Sequence, residues 1–121
     1  MKTQFIRSCL ISLAFVTTAL HASETGWTLL HEAVEENDIE RVHKILATEE
    51  INVNAVDECL WTPLHLAALY GFFECVEELL AHGANLCAQS RKGGTPEEFA
   101  RTGGFPDLAL YLKNKRNDVR P

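Results

Sequence analysis

Apolar residues follow two different regimes along this chain. Cys9 to Leu20 is a run without a charged residue, preceded by Lys2 and Arg7 and followed by His21-Ala22. Beyond it the apolar residues are spaced for helices. Phe73, Val76, Leu79 and Leu80 share one helical face over Phe73–Ala81, and His82-Gly83-Ala84-Asn85 breaks that helix. The helical regime also repeats. Gly26-Trp27-Thr28-Leu29-Leu30-His31-Glu32-Ala33 aligns with Leu60-Trp61-Thr62-Pro63-Leu64-His65-Leu66-Ala67, and less closely with Gly93-Gly94-Thr95-Pro96-Glu97-Glu98-Phe99-Ala100. Measured from each threonine, Asn37, Gly71 and Gly104 stand nine residues on, Val42, Val76 and Ala109 fourteen, and Ile45, Leu79 and Leu112 seventeen. The threonines stand 34 and then 33 residues apart, and a nearly fixed period of this length is the signature of a stacked repeat, because one such unit cannot bury its apolar face alone.

Each unit predicts two short antiparallel helices. Thr28, Thr62 and Thr95 are placed to accept from backbone N–H groups at a helix start. Pro63 and Pro96 fall at the first helical position, where a missing N–H costs nothing. Thr95 and Glu98 have the spacing of a capping box. Asn37, Gly71 and Gly104 end the first helix, being residue types that tolerate a left-handed backbone.

These residues resemble the ankyrin repeat. Asp57 to Asn85, with Thr62-Pro63-Leu64-His65-Leu66-Ala67-Ala68, Gly71, Leu79-Leu80 and Gly83-Ala84-Asn85, is similar to a nearly complete copy, and the resemblance extends over about 24–115. It implies an all-α solenoid with short β-hairpin connections, in units of about 24–57, 58–90 and 91–115, with 116–121 as a basic tail that frays in solvent. Val53 to Asp57 resembles the segment leading into one such hairpin. Leu29 stands where the pattern has proline, and Glu97-Glu98 where it has Leu-His, both in terminal units. Leu60 stands where the family commonly has glycine.

The N-terminal run changes the picture of where the protein works. A basic start, an uncharged apolar stretch and a small residue at Ala22 form the layout of a secretory signal, too short for a stable membrane span. Cleavage is expected after Ala22 or Ala19. The mature domain over 23–115 is then periplasmic or secreted, with no membrane span. The formal charge is −6. Residues 23–82 hold 13 acids against Arg41 and Lys44, whereas 83–121 hold 4 acids against 7 bases. An acidic chain lacks the positive face that general nucleic-acid binding requires.

Candidate chemistry is sparse. His31 and His65, near Glu32 and Glu35, invite a metal or acid–base reading. However, no nucleophile, zinc-ligand spacing or phosphate loop accompanies them. The resemblance implies instead that this histidine is structural, hydrogen-bonded near the helix start and the adjoining hairpin. No cofactor and no catalytic residue are expected. Glu35-Glu36 and Glu77-Glu78 read as solvated helix faces, and Cys75 as a small packing residue. Whether Cys59 and Cys87 pair is left open, because sequence does not show that their Cβ atoms meet.

The function implied by the resemblance is binding of another protein by a chain that is monomeric when free. A second possibility is an accessory or inhibitory subunit that regulates a specific enzyme, for example in stress defence or a toxin system. Ankyrin proteins meet partners through hairpin tips and the inner face of the first helices. On this chain those positions are Val56, Glu58, Cys59, Leu60, Trp61, Leu69 and Tyr70, with Trp27, Glu35, Glu36, Gln89, Arg91 and Lys92 on the flanking units. Leu60, Trp61, Leu69 and Tyr70 are expected to form an apolar patch rimmed by acids, with Trp61 as its anchor.

Overall fold

The computed structural model describes residues 28–48 and 51–118, so Trp27 and the N-terminal run lie outside the described residues. Six helices follow in order: α1 (Leu29–Glu35), α2 (Ile39–Leu46), α3 (Pro63–Tyr70), α4 (Phe73–Ala81), α5 (Pro96–Thr102) and α6 (Pro106–Asp118). They form three helix–turn–helix units. The first helices pack as an inner row, α1 on α3 and α3 on α5, while α2 packs on α4 in an outer row and α6 packs on α5.

The threonine frame fixes where each unit starts. Thr28, Thr62 and Thr95 each accept from the backbone N–H three residues on, and the third-position side chain (His31, His65, Glu98) reaches back to the threonine N–H. All three units therefore carry a reciprocal capping box, with histidine acting as acceptor in two of them. Asn37, Gly71 and Gly104 end the first helices at φ values of 55°, 72° and 93°. At Gly71 a second constraint acts, since an added Cβ would lie 2.5 Å from the Phe105 ring.

The core is the set of positions that the repeat frame marks. Leu30, Ala33 and Val34 of α1, Leu64, Leu66, Ala67 and Ala68 of α3, and Ala100 of α5 are buried against Val42, Val76, Leu79, Ala109 and Leu112 of the second helices. Burying a leucine of this kind contributes about 1.5–3 kcal/mol. Phe73 departs from the expectation. It is exposed, and its ring lies against Tyr111 of α6 with centroids 4.7 Å apart.

Three further expectations are corrected. The connections contain no β-strand among the described residues. In the central one, Asp57 N–H donates to the Trp61 carbonyl at 3.2 Å. The return rung is lost because Trp61 N–H donates to Asp57 Oδ1, at 2.9 Å, and not to the carbonyl. The next unit repeats this, with Ser90 N–H on the Gly94 carbonyl and Gly94 N–H on Ser90 Oγ. The connections are side-chain-closed fingers. The second correction concerns the C-terminus: α6 continues to Asp118, and Arg116, half-buried, pairs with Glu97 at 2.8 Å. Glu97 also pairs with Arg101 at 2.8 Å, so a nearly buried carboxylate ties the last two helices together. The third is Glu35, which is buried and not on a solvated face.

Candidate partner-binding surface

The two fingers are stitched to the helices and to each other. His31 Nδ1 accepts from Thr28 N–H at 3.1 Å, and His31 Nε2 donates to the Trp61 carbonyl at 2.9 Å. One unit further on, His65 Nδ1 accepts from Thr62 N–H at 3.0 Å and Nε2 donates to the Gly94 carbonyl at 3.0 Å. An Nδ1 that accepts and an Nε2 that faces a carbonyl define one neutral tautomer. Burial pushes the His31 pKa down to about 4, against the raising effect of the Trp61 carbonyl, with the His65 charge lowering it further. Burial also lowers His65. Both histidines thus connect a helix start to the next finger, as the resemblance implied. Among the described residues no group of three or more His, Cys, Asp or Glu side chains is placed to hold a metal ion.

Finger-to-finger contacts come from Arg91. Its backbone N–H donates to the Cys59 carbonyl at 2.8 Å, and its Nε and Nη2 donate to the Glu58 carbonyl at 3.1 and 2.6 Å. A cation therefore lies beside the central fingertip, which itself carries Glu58. Asp57 is buried beneath that tip. Its Oδ1 accepts from Cys59 N–H and Trp61 N–H, and burial raises its carboxyl pKa above the ordinary range.

The expected surface residues divide into two groups. Val56, Leu60, Gln89, Arg91 and Lys92 are exposed along the fingers, with Glu58 and Cys59 half-buried. Leu69 and Tyr70, at the end of α3, are half-buried and pack against the core. Burial and the Glu35 charge raise the Tyr70 hydroxyl pKa to about 12. Glu36 is exposed and pairs with Arg41 at 2.9 Å. Trp61 is half-buried, its ring edge-on to Phe99 at 4.9 Å and 82°. The same Phe99 ring lies 4.6 Å from His65. Trp61 is therefore wedged against the third unit, not held out as an open anchor. Cys87 is a free, exposed thiol and Cys75 a free, buried one, so Cys59 and Cys87 do not pair. Cys75 packs as expected and donates to Asn37 Oδ1 at 3.5 Å. Burial, with the charges of Glu74, Asp38 and Glu78, pushes its thiol to about 12.

Phe105 and Tyr111 were not marked by the repeat pattern, and Phe73 was marked only as part of a buried helix face. Phe73 and Phe105 are exposed, Phe105 over Gly71, whereas Tyr111 is half-buried against the core and lies under Lys115 Nζ at 5.6 Å from its ring centroid. A signal for Phe105 exists in sequence, because Gly71 and Gly103 leave room for a large ring between units. Phe73 and Tyr111 lie 38 residues apart and give none.

The sequence profile of ankyrin repeats (three copies) matches residues 6–90 and 30–120, and the chain belongs to the ankyrin-repeat family. Among curated proteins it is 31% identical over 84 residues to human protein phosphatase 1 regulatory subunit 27, covering 69% of this chain and 54% of that protein. It is 42% identical over 88 residues to human SMC5-SMC6 complex localization factor protein 1, covering 72% of this chain but 8% of that protein. It is 33% identical over 93 residues to a Caenorhabditis elegans homolog of transient receptor potential cation channel subfamily A member 1, covering 75% of this chain and 8% of that one. The chain thus spans about half the length of the regulatory subunit and under a tenth of the other two. Ankyrin repeats bind other proteins, and among the described residues no helix is long and apolar enough to cross a membrane.

Proposed function

We propose that this chain is an exported protein-binding module without catalytic activity, which engages one protein partner through its row of fingers and the adjoining ends of α3 and α5. The observation that supports this most is the contrast between rigid scaffold and open tip. The finger backbones are fixed by His31, His65, Asp57 and Arg91, yet Val56 and Leu60 are held in solvent at 40% and 38% exposure. Apolar side chains on a preorganised backbone lose little entropy on binding, which is what an interface centre requires. Export rests on Lys2, Arg7 and the Cys9–Leu20 run.

A more specific reading makes the partner an enzyme and this chain its regulatory subunit. It is favoured by the similarity to a protein named as a phosphatase regulatory subunit. The test is binding by surface variants of the partner recovered from the native compartment. Val56→Asp and Tyr70→Ala should weaken the complex at least tenfold, and Glu74→Ala on the outer row should leave it unchanged. Loss on the outer row alone would refute the surface. An unaltered activity of a recovered enzyme would refute the regulatory reading.

A further inference from the structure

Among the described residues only two that are not glycine have a left-handed backbone, Asn37 and Leu60. Asn37 ends a helix, where asparagine is at home. Leu60 is different. It is the last residue of a three-residue loop between Asp57 and Trp61, with its N–H donating to the Asp57 carbonyl at 3.0 Å and φ at 61°. Loops of this kind place a left-handed residue third, and glycine is the residue that fits it. The next finger has Gly93 there, at φ 92°. A leucine Cβ is crowded in that conformation. Core packing compensates for it at most in part, since the side chain is 38% exposed and lies outside the buried core cluster. A strained backbone residue with its side chain at an exposed fingertip points to a use outside the fold.

The surroundings state what that use requires. Arg91 is bound through Nε and Nη2 to the Glu58 carbonyl, so its guanidinium is fixed beside the tip while its Nη1 group is left for another acceptor. We infer that Leu60 is the specificity anchor of the finger row, inserting into an apolar pocket on the partner protein whose lip carries a carboxylate that Arg91 meets. The inference rests on the fingers being the binding surface and adds the chemistry of the partner. A leucine supplies the apolar contact, and a planar guanidinium already held in place supplies a directional contact to a carboxylate.

The experiment uses the full chain with a photoreactive leucine analogue at position 60, irradiated in the native compartment, with the same analogue at position 69 for comparison. The position-60 adduct should map to a partner surface that is apolar, with Asp or Glu at its edge. An adduct on a basic or wholly polar surface overturns the inference, as does the absence of any position-60 adduct where position 69 gives one. Against the partner so identified, Leu60→Gly should weaken binding about tenfold or more while raising the melting temperature by about 2–4 °C as the strain is relieved. Leu60→Met should bind within about threefold of wild type, since the apolar volume is kept. Unchanged binding by Leu60→Gly, or a lowered melting temperature, overturns the anchor. If Val56→Asp and Tyr70→Ala still weaken the complex, the surface stands and only the anchor fails. If neither does, the surface reading itself is wrong.

Discussion

Acidification should unlock the stack through its two buried histidines, and the size of the effect follows from the structure. In the unfolded chain a histidine takes up a proton near pH 6.5. In the folded protein His31 resists until about pH 4, because it is fully buried and its Nε2 already donates to the Trp61 carbonyl. Protonation would place a hydrogen on Nδ1 against the Thr28 N–H that now donates to it, so the capping box and the proton compete for one lone pair. Between these pH values the unfolded chain binds more protons, and stability must fall as pH falls. It is complete above about pH 6.5 and lost progressively towards pH 4. Between pH 7 and pH 5, above the ordinary carboxylate range, His31 alone should cost about 2 kcal/mol. His65, also lowered by burial, adds to this in the same direction. Asp57 acts the other way. Its raised carboxyl is protonated more readily when folded, which adds stability as pH falls. The assay is urea unfolding at half-unit steps from pH 7.5 to pH 5, for wild type and for His31→Gln, a neutral side chain with a donor and an acceptor. Wild type should lose about 2 kcal/mol or more over that range, and His31→Gln should lose distinctly less. A flat wild-type profile, or an equal decline in both proteins, would refute the buried neutral tautomer.

Other variants test the packing between units. Gly103→Ala should lower stability by about 1–3 kcal/mol, because an added Cβ collides with the Leu69 carbonyl oxygen of the preceding unit, a backbone atom that cannot swing aside. A melting temperature equal to wild type would contradict it. Trp61→Ala should cost about 2 kcal/mol, since its ring edge packs on Phe99; stability equal to wild type would return Trp61 to the open surface. Arg116→Ala should cost about 1 kcal/mol and speed amide exchange over residues 113–118, because one of the two cations on Glu97 is removed. Unchanged exchange there would mean the pair does not hold the end of α6.

The sequence made the scaffold readable because local signals and burial agreed at each threonine. Caps, left-handed terminators and core positions lie at fixed offsets within one unit, so neighbouring residues suffice to read them. The roles of His31 and His65 were legible through the family resemblance. What escaped depended on contacts between distant residues. Trp61 reads as an open aromatic until Phe99 is seen against it, and Arg116 reads as a tail charge until Glu97 is seen beneath it. Glu35 sits in an acidic pair by sequence and in a buried position by fold. The hairpin expectation failed on a finer point, since Asp57 Oδ1 and Ser90 Oγ take N–H groups that a strand ladder would need. At the proposed binding surface, Leu60 was marked by its departure from glycine, whereas the cation fixed beside it depends on the contact of Arg91 across the fingers.

The central claim is that a protein partner covers the fingers and the inner helix ends. Amide hydrogen exchange of the chain alone and in complex with the partner recovered from its native compartment tests this most directly. The account predicts new protection over residues 56–61 and 89–94 and at Leu69–Tyr70, with α2 and α4 unchanged. Protection confined to α2, α4 and α6, with the fingers exchanging as in the free chain, would contradict it.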